Sequence, residues 1–309
     1  MTMIPSLSAD AFAPGEPAGA TRDFIGYGNR APAVRWPHAA RVAVSFVLNF
    51  EEGAEFSMSD GDPRNEGIYE VIDPQPTADP CIDSHFEYGT RVAYWRIDEL
   101  FAQHRALYTL SACGRAVERS PWLAQHAASR GHEVSAHGWR WQKSADLGEA
   151  EERAAIVRTR DAIGRAIGRA PVGWHTRSNP SAHTRRLLVE EGFLYDSDAY
   201  NDDTPYLVPV AGHSHLVLPY AFDTNDMQFQ NTQRFGTGAE FADYVCAAYD
   251  WLWREGERQP RMLSIGLHLR MIGRPGRMAA LERILQHVAT RDAWIATREQ
   301  IARHWLAHV

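Results

Sequence analysis

Three features of the sequence predict an α/β fold built on a mostly parallel sheet. Short apolar runs rich in Val, Leu and Phe alternate with longer amphipathic segments, as strands alternate with crossover helices. Gly131, Gly168 and Gly192 each stand just past a helical run, where a left-handed residue ends a helix. Ionisable residues also collect directly after the apolar runs: Glu51 and Glu52, His137, His175, Asp196 and Asp198, and His268. In a closed α/β barrel the C-terminal strand ends converge on one mouth, so this third feature predicts a site together with the fold.

The apolar runs place strands over 42–50, 107–112, 132–136, 172–176, 193–196, 215–219, 262–268 and 293–296. Helical periodicity covers 91–104, 121–130, 149–167, 182–191, 239–255 and 277–290. The length of 309 residues suits one barrel. We read residues 1–22 as a flexible arm and 23–309 as a single catalytic domain, since the opening segment has neither a basic start nor a continuous apolar stretch.

A formal charge of -7 argues against a nucleic-acid partner or an anionic membrane surface, and no run of 18 apolar residues suggests a membrane span. Cys81, Cys113 and Cys246 are widely spaced and odd in number, which favours a reducing, cytoplasmic location. Gly-rich phosphate loops, a nucleophile elbow and paired CxxC motifs are absent.

The first constellation with chemical content is Glu51-Glu52-Gly53 at the end of the first strand. Neighbouring side chains on a strand point to opposite faces, but a turn beginning at Gly53 can swing both carboxylates towards the mouth; the alternative is a solvated strand end. The second is SAHGWRW, residues 135–141, in which His137 is either a site residue or a satisfied structural histidine.

Five segments in this order, SFVLNFEEG, GHEVSAHGWRW, LYDSDAYNDDTPY, PYAFDTNDMQF and LSIGLHLRMIGRPGRMAALERIL, resemble the polysaccharide deacetylase (NodB homology) superfamily and within it the allantoinase-like branch. The resemblance covers Asp23 to the C-terminus. It implies a distorted (β/α) barrel of about seven strands that hydrolyses amides, with a subgroup that opens the hydantoin ring of allantoin. Sugar deacetylases carry an Asp-Asp pair where this chain has Glu51 and Glu52, the first as base and the second on a metal held also by two His spaced i, i+4. His137 matches the first of those His, but the second position is Trp141. An indole nitrogen carries a proton and offers no lone pair in the ring plane, so it is no substitute ligand.

The resemblance therefore implies a metal-free site, and no cofactor is expected. Were a divalent metal such as zinc bound, Glu52 and His137 would be its ligands, with His85 or His175 as a third. The catalytic candidates are Glu51 or, failing that, Glu52 as general base, His268 as the acid that protonates the leaving nitrogen, and His137 to orient water or polarise the carbonyl. Crowding of the two carboxylates is expected to raise a pKa into a useful range. Trp141, His175, Arg177 and Asp196 are the substrate-binding candidates, Trp141 as an aromatic wall and Arg177 for planar ureide or carboxylate oxygens.

Residues 175–179 depart from the allantoinases, where a Tyr stands at the His175 position and a Gly-Arg pair follows the Thr. Opening of a ureide ring is the leading expectation; the alternatives are a cyclic imide hydrolase of the same family and a metal-dependent N-acetyl-sugar deacetylase. A homotetramer is implied by family analogy alone.

Overall fold

The computed structural model describes residues 22–28, 32–67, 76–177, 179–230 and 235–308. The expected arm, residues 1–22, lies outside them except for Arg22. Nine strands form one sheet: β1 (Val42–Phe50), β2 (Thr109–Ala112), β3 (Glu133–Ala136), β4 (Gly173–Trp174), β5 (Tyr195–Asp196), β6 (Tyr206–Val210), β7 (His213–Val217), β8 (Arg261–His268) and β9 (Ala293–Ile295). The helices are α1 (Pro80–Tyr88), α2 (Tyr94–Gln103), α3 (Gly114–Arg119), α4 (Pro121–Ser129), α5 (Glu149–Ile167), α6 (Thr184–Glu190), α7 (Gly238–Glu255), α8 (Leu269–Ile272), α9 (Pro275–Ala289) and α10 (Arg298–Leu306).

Strand order is β6-β7-β5-β4-β3-β2-β1-β8, with β9 also on β1, and every ladder is parallel except the β6–β7 hairpin. This is the expected distorted barrel, a curved and mostly parallel sheet with crossover helices. Every residue of β1 is buried, as a strand covered on both faces must be, and its sequence VAVSFVLNF is correspondingly apolar. One edge of β1 is shared: Val42–Val44 pair with β9 and Val47–Phe50 pair with β2.

Sequence periodicity did not reveal β6, an edge strand interrupted by Pro209 and alternating between half-buried and exposed residues. Nor did it reveal α1, α3 or α10. The gap between β7 and β8 is filled by an irregular segment, 218–226, which bridges to β8 at Asn225 and Gly266. The buried Arg298 guanidinium clamps this closure, donating to Ser197 Oγ (3.0 Å), Ser264 Oγ (2.8 Å) and the carbonyl oxygens of Leu218 (2.5 Å) and Pro219 (3.0 Å).

Between α1 and α2 the chain makes a π-helical turn, Gly89–Ala93, against the end of β1. A Cβ at Gly89 would collide with the Glu52 carboxylate, although the backbone there has ordinary helical angles (φ -56°, ψ -52°). The glycine is thus required by close approach and not by conformation. Gly89→Ala should cost about 1–3 kcal/mol of stability by overpacking, seen as a lower urea midpoint with an unchanged slope; an unchanged midpoint would mean that the Glu52 side chain yields freely.

Candidate active site

The parallel register of β1 and β8 sets Asn49 beside His268, and Glu51 follows at the C-terminal end of β1. Beyond it, Gly53 (φ +90°) turns the chain, and the Ala54 carbonyl accepts the Trp141 N–H (3.1 Å). Arg140 ties the same two loops together through Asp62 and the Glu55 carbonyl. The ends of β1, β3, β4 and β8 therefore meet around a cavity of about 440 Å³. Glu51, His137, Trp141, His175, Arg177 and His268 all line it.

Glu51 is the hub. Its Oε1 lies 3.2 Å from His137 Nε2 and 3.4 Å from His268 Nε2, while Oε2 faces Arg270 at 2.8 Å. His137 donates through Nδ1 to the His175 carbonyl oxygen (2.7 Å), which assigns that proton and turns Nε2 towards Glu51. His268 is held by Asp226, whose Oδ2 accepts its backbone N–H (2.8 Å) and whose Oδ1 meets Nδ1 at 2.6 Å. The proton on Nε2 of His268 is thereby presented to the cavity.

Burial alone would raise the Glu51 pKa, but Arg270, His268 and the contact with His137 outweigh it and hold the carboxyl well below its usual range. Burial pushes Glu52 the other way, upwards, in spite of Arg270. The expectation that crowding raises the base is thus corrected for Glu51, since the nearby cations decide its charge. Burial would lower His268, yet Glu51 and Asp226 raise it to about 9.

Glu52 does not turn to the same mouth. Its Oε2 accepts the Glu51 N–H (3.1 Å) and its Oε1 the Arg270 N–H (3.3 Å). It faces a separate opening of about 340 Å³, also lined by Glu55, Asp60, Asp83 and Glu87. The turn at Gly53 therefore separates the two carboxylates.

The residues present do not fit a divalent metal. The wholly buried Arg270 guanidinium lies against both Glu51 and Glu52 and stacks on Phe86 and Trp141, so a fixed cation already neutralises the carboxylates a metal would need. His85, a candidate third ligand, accepts from Arg274 through Nδ1 (3.1 Å), and its pKa is lowered to about 4 by burial and by Arg270, Arg274 and Arg277. His175 stacks between His137 and Tyr220, its Nδ1 3.2 Å from Asp198.

The other candidates divide. Arg177 covers the Trp141 ring at 3.4 Å, but its fork is engaged by Glu66 (3.0 and 3.3 Å) and the Trp141 carbonyl (2.6 Å). Asp196 turns to Arg185 (2.6 and 3.0 Å) and His215 (3.1 Å) and is not among the residues lining the cavity. Asp198 accepts from the backbone and hydroxyl of Thr176, a turn-stabilising role. Arg274 and Arg277 bond to the carbonyls of Arg270 and Met271 and hold their own loop.

Sequence reasoning missed Asp226, Arg270 as an internal cation, and Tyr220. The Tyr220 hydroxyl accepts from Asn49 Nδ2 (2.9 Å) and stays protonated because burial raises its pKa, leaving a phenolic proton to donate into the cavity. The quoted segment PYAFDTNDMQF held both Tyr220 and Asp226, but nothing in its pattern assigned them a partner.

A profile for polysaccharide deacetylase matches residues 75–188. A Schizosaccharomyces pombe protein assigned to polysaccharide deacetylases is 36% identical, the match covering 93% of this chain and 97% of that one. The chain belongs to the polysaccharide deacetylase family. Two solved structures superpose on this family member at a TM-score of 0.89, each covering 94% of this chain and 99% of the other. One is assigned to the polysaccharide deacetylases of Pseudomonas aeruginosa PAO1 (43% identity) and the other is PuuE allantoinase (41% identity). Among the described residues, no helix is long and apolar enough to cross a membrane.

A general acid at His268 must be protonated to act, so its contribution is complete below its pKa and is lost as pH rises through about 9. Asp226→Asn removes one of the two anions that raise it. The alkaline limb of the kcat/KM profile should then move down by about one pH unit or more, the scale of a close opposite charge. An unmoved limb in a folded Asp226→Asn protein would take His268 out of the acid role.

Proposed function

We propose that this family hydrolase opens cyclic amides at a carbon–nitrogen bond, with a hydantoin-type ureide ring as the leading substrate class. The observation that carries the reading is the pairing of an anionic Glu51 with a cationic His268 in one small cavity. Water entering beside Glu51 gives it a proton as its oxygen bonds to the ring carbonyl carbon. The carbonyl π electrons move to the oxygen, where the Tyr220 hydroxyl lies within the same cavity to donate to the negative charge. The C–N bond then breaks as Nε2 of His268 passes its proton to the departing nitrogen. Glu51 is left with one proton too many and His268 with one too few, and their 3.4 Å approach gives the route that resets both.

A compact site walled by Trp141, Tyr200, Tyr220 and Phe222 suits a planar ring better than a polymer strand. The likeness to PuuE allantoinase supports the same reading. The cyclic imide alternative shares all of this chemistry and differs in the ring. The metal-dependent deacetylase reading would need Arg270 to leave its buried place between the carboxylates.

Allantoin, hydantoin, succinimide, dihydrouracil and an acetylated chitooligosaccharide, each with and without chelator, form the test panel. Turnover of a ring substrate that survives chelation is expected. Glu51→Gln should lower its rate at least about a hundredfold, the scale of a general base, with the fold intact by circular dichroism. Turnover of the oligosaccharide alone, abolished by chelator and restored by zinc, would overturn the proposal.

A further inference from the structure

Of the 32 lysine and arginine residues in the chain, Lys143 alone is lysine. The exposed cationic positions of this protein are otherwise arginine, Arg91, Arg165 and Arg303 among them, so solvation of the surface does not account for an ammonium at residue 143. The one lysine lines the catalytic cavity, together with Glu51, His137, Trp141 and His268. It follows the Trp141 loop directly and precedes the 3-10 turn Ser144–Asp146. It also borders a second opening of about 410 Å³, lined by Arg64, Glu66 and Asp146, and so stands at the rim between the two.

The other cations at the cavity are already matched. Arg270 is set against Glu51 and Glu52, Arg177 is forked on Glu66, and His268 lies between Asp226 and Glu51. Lys143 is exposed and has neither an ion pair nor a side-chain hydrogen bond among the described residues. The two side chains differ in kind: a guanidinium fork locks onto a carboxylate in fixed geometry, whereas an ammonium on a four-carbon stem is a mobile point charge. An arginine at this rim would have Glu66 and Asp146 within the same opening to fork onto. A lysine remains available to a ligand.

Resting on the ring-opening reading above, we propose that Lys143 binds a negative charge on the substrate, at the end away from the scissile bond. The preferred substrates are then cyclic amides that carry a carboxylate on the ring, in preference to the neutral parent rings. Lys143 is here a specificity residue; the proton transfers remain with Glu51 and His268.

The single lysine makes the test direct, because amine acylation can modify only this side chain and the N-terminus. Wild-type protein is acetylated with an N-hydroxysuccinimide ester in the presence of hydantoin-5-acetate or of neutral hydantoin at equal concentration, and Lys143 modification is followed by peptide mass spectrometry. The carboxylated ring should slow modification about tenfold more than the neutral one, as expected of one charge-assisted contact. In parallel, the ratio of kcat/KM for the two rings is measured in wild type, Lys143→Met and Lys143→Arg. The ratio should fall about tenfold in Lys143→Met, chiefly through KM, with little recovery in Lys143→Arg. Equal protection by both rings, or none by either, would overturn the proposal, as would an unchanged ratio in Lys143→Met. Selective protection without turnover of either ring would sink the ring-opening reading and leave the anion site standing. Turnover with an unchanged ratio would do the reverse.

Discussion

Two adjacent carboxylates buried at the end of β1 would be intolerable without a cation, and Arg270 is that cation. Breaking a buried pair of this kind costs about 3–5 kcal/mol, because the surviving charge is left uncompensated. The pair fixes much else. It keeps Glu51 ionised, and the ionised Glu51 in turn helps raise His268 to about 9. The Phe86 and Trp141 rings accept the guanidinium face, so the aromatic residue that stands where a metal-binding histidine is expected serves here to pack a cation.

A strongly acidic Glu51 is always ready to accept a proton but has little drive to do so, since general-base efficiency grows with basicity. Such a base suits a substrate whose leaving nitrogen is itself stabilised, as the acylated nitrogens of ureides and imides are. An acetamide on an alkyl amine has a far more basic leaving group and calls for a more potent nucleophile, such as a metal-bound hydroxide. Under the proposed function, the charge state of the site and the class of ring thus belong together. The opposed shifts of Glu51 and His268 also fit the base and acid roles proposed for them, as expected where two titratable neighbours have unlike environments.

Much of this frame was legible in the sequence. The apolar strands β1 and β8 were correctly bounded to within a residue, and parallel pairing then forces Glu51 and His268 to the same end. His137 and His175 followed from the same strand-end logic, and Trp141 from the family resemblance. What escaped was chemistry carried by irregular backbone. Asp226 lies in a 3-10 turn with no periodicity to mark it, and Arg270 lies in α8, two residues beyond the strand, where a loop contact was as reasonable as a buried one. Asp196 shows the converse error. Strand-end position gave it a place near the mouth, but Arg185 from α6 and His215 from β7 draw its carboxylate elsewhere.

The segment that closes the barrel is also the one that finishes the site. Arg298 and Ser264 anchor residues 218 and 219 by their carbonyls, and Thr224 donates to the Ser264 carbonyl (2.6 Å). Between and just after these anchors come Tyr220 and Phe222, which wall the cavity, and Asp226, which holds His268. A regular strand here would have paired fully with β8 and alternated its side chains between core and exterior. The irregular closure instead turns a donor, Tyr220, and a wall, Phe222, towards the cavity and sets the Asp226 carboxylate behind His268. The cavity wall at Tyr220 and Phe222 and the anchor of His268 are therefore coupled to closure of the sheet. A change that loosened the Arg298 clamp would be felt at His268 through Asp226, without touching either residue.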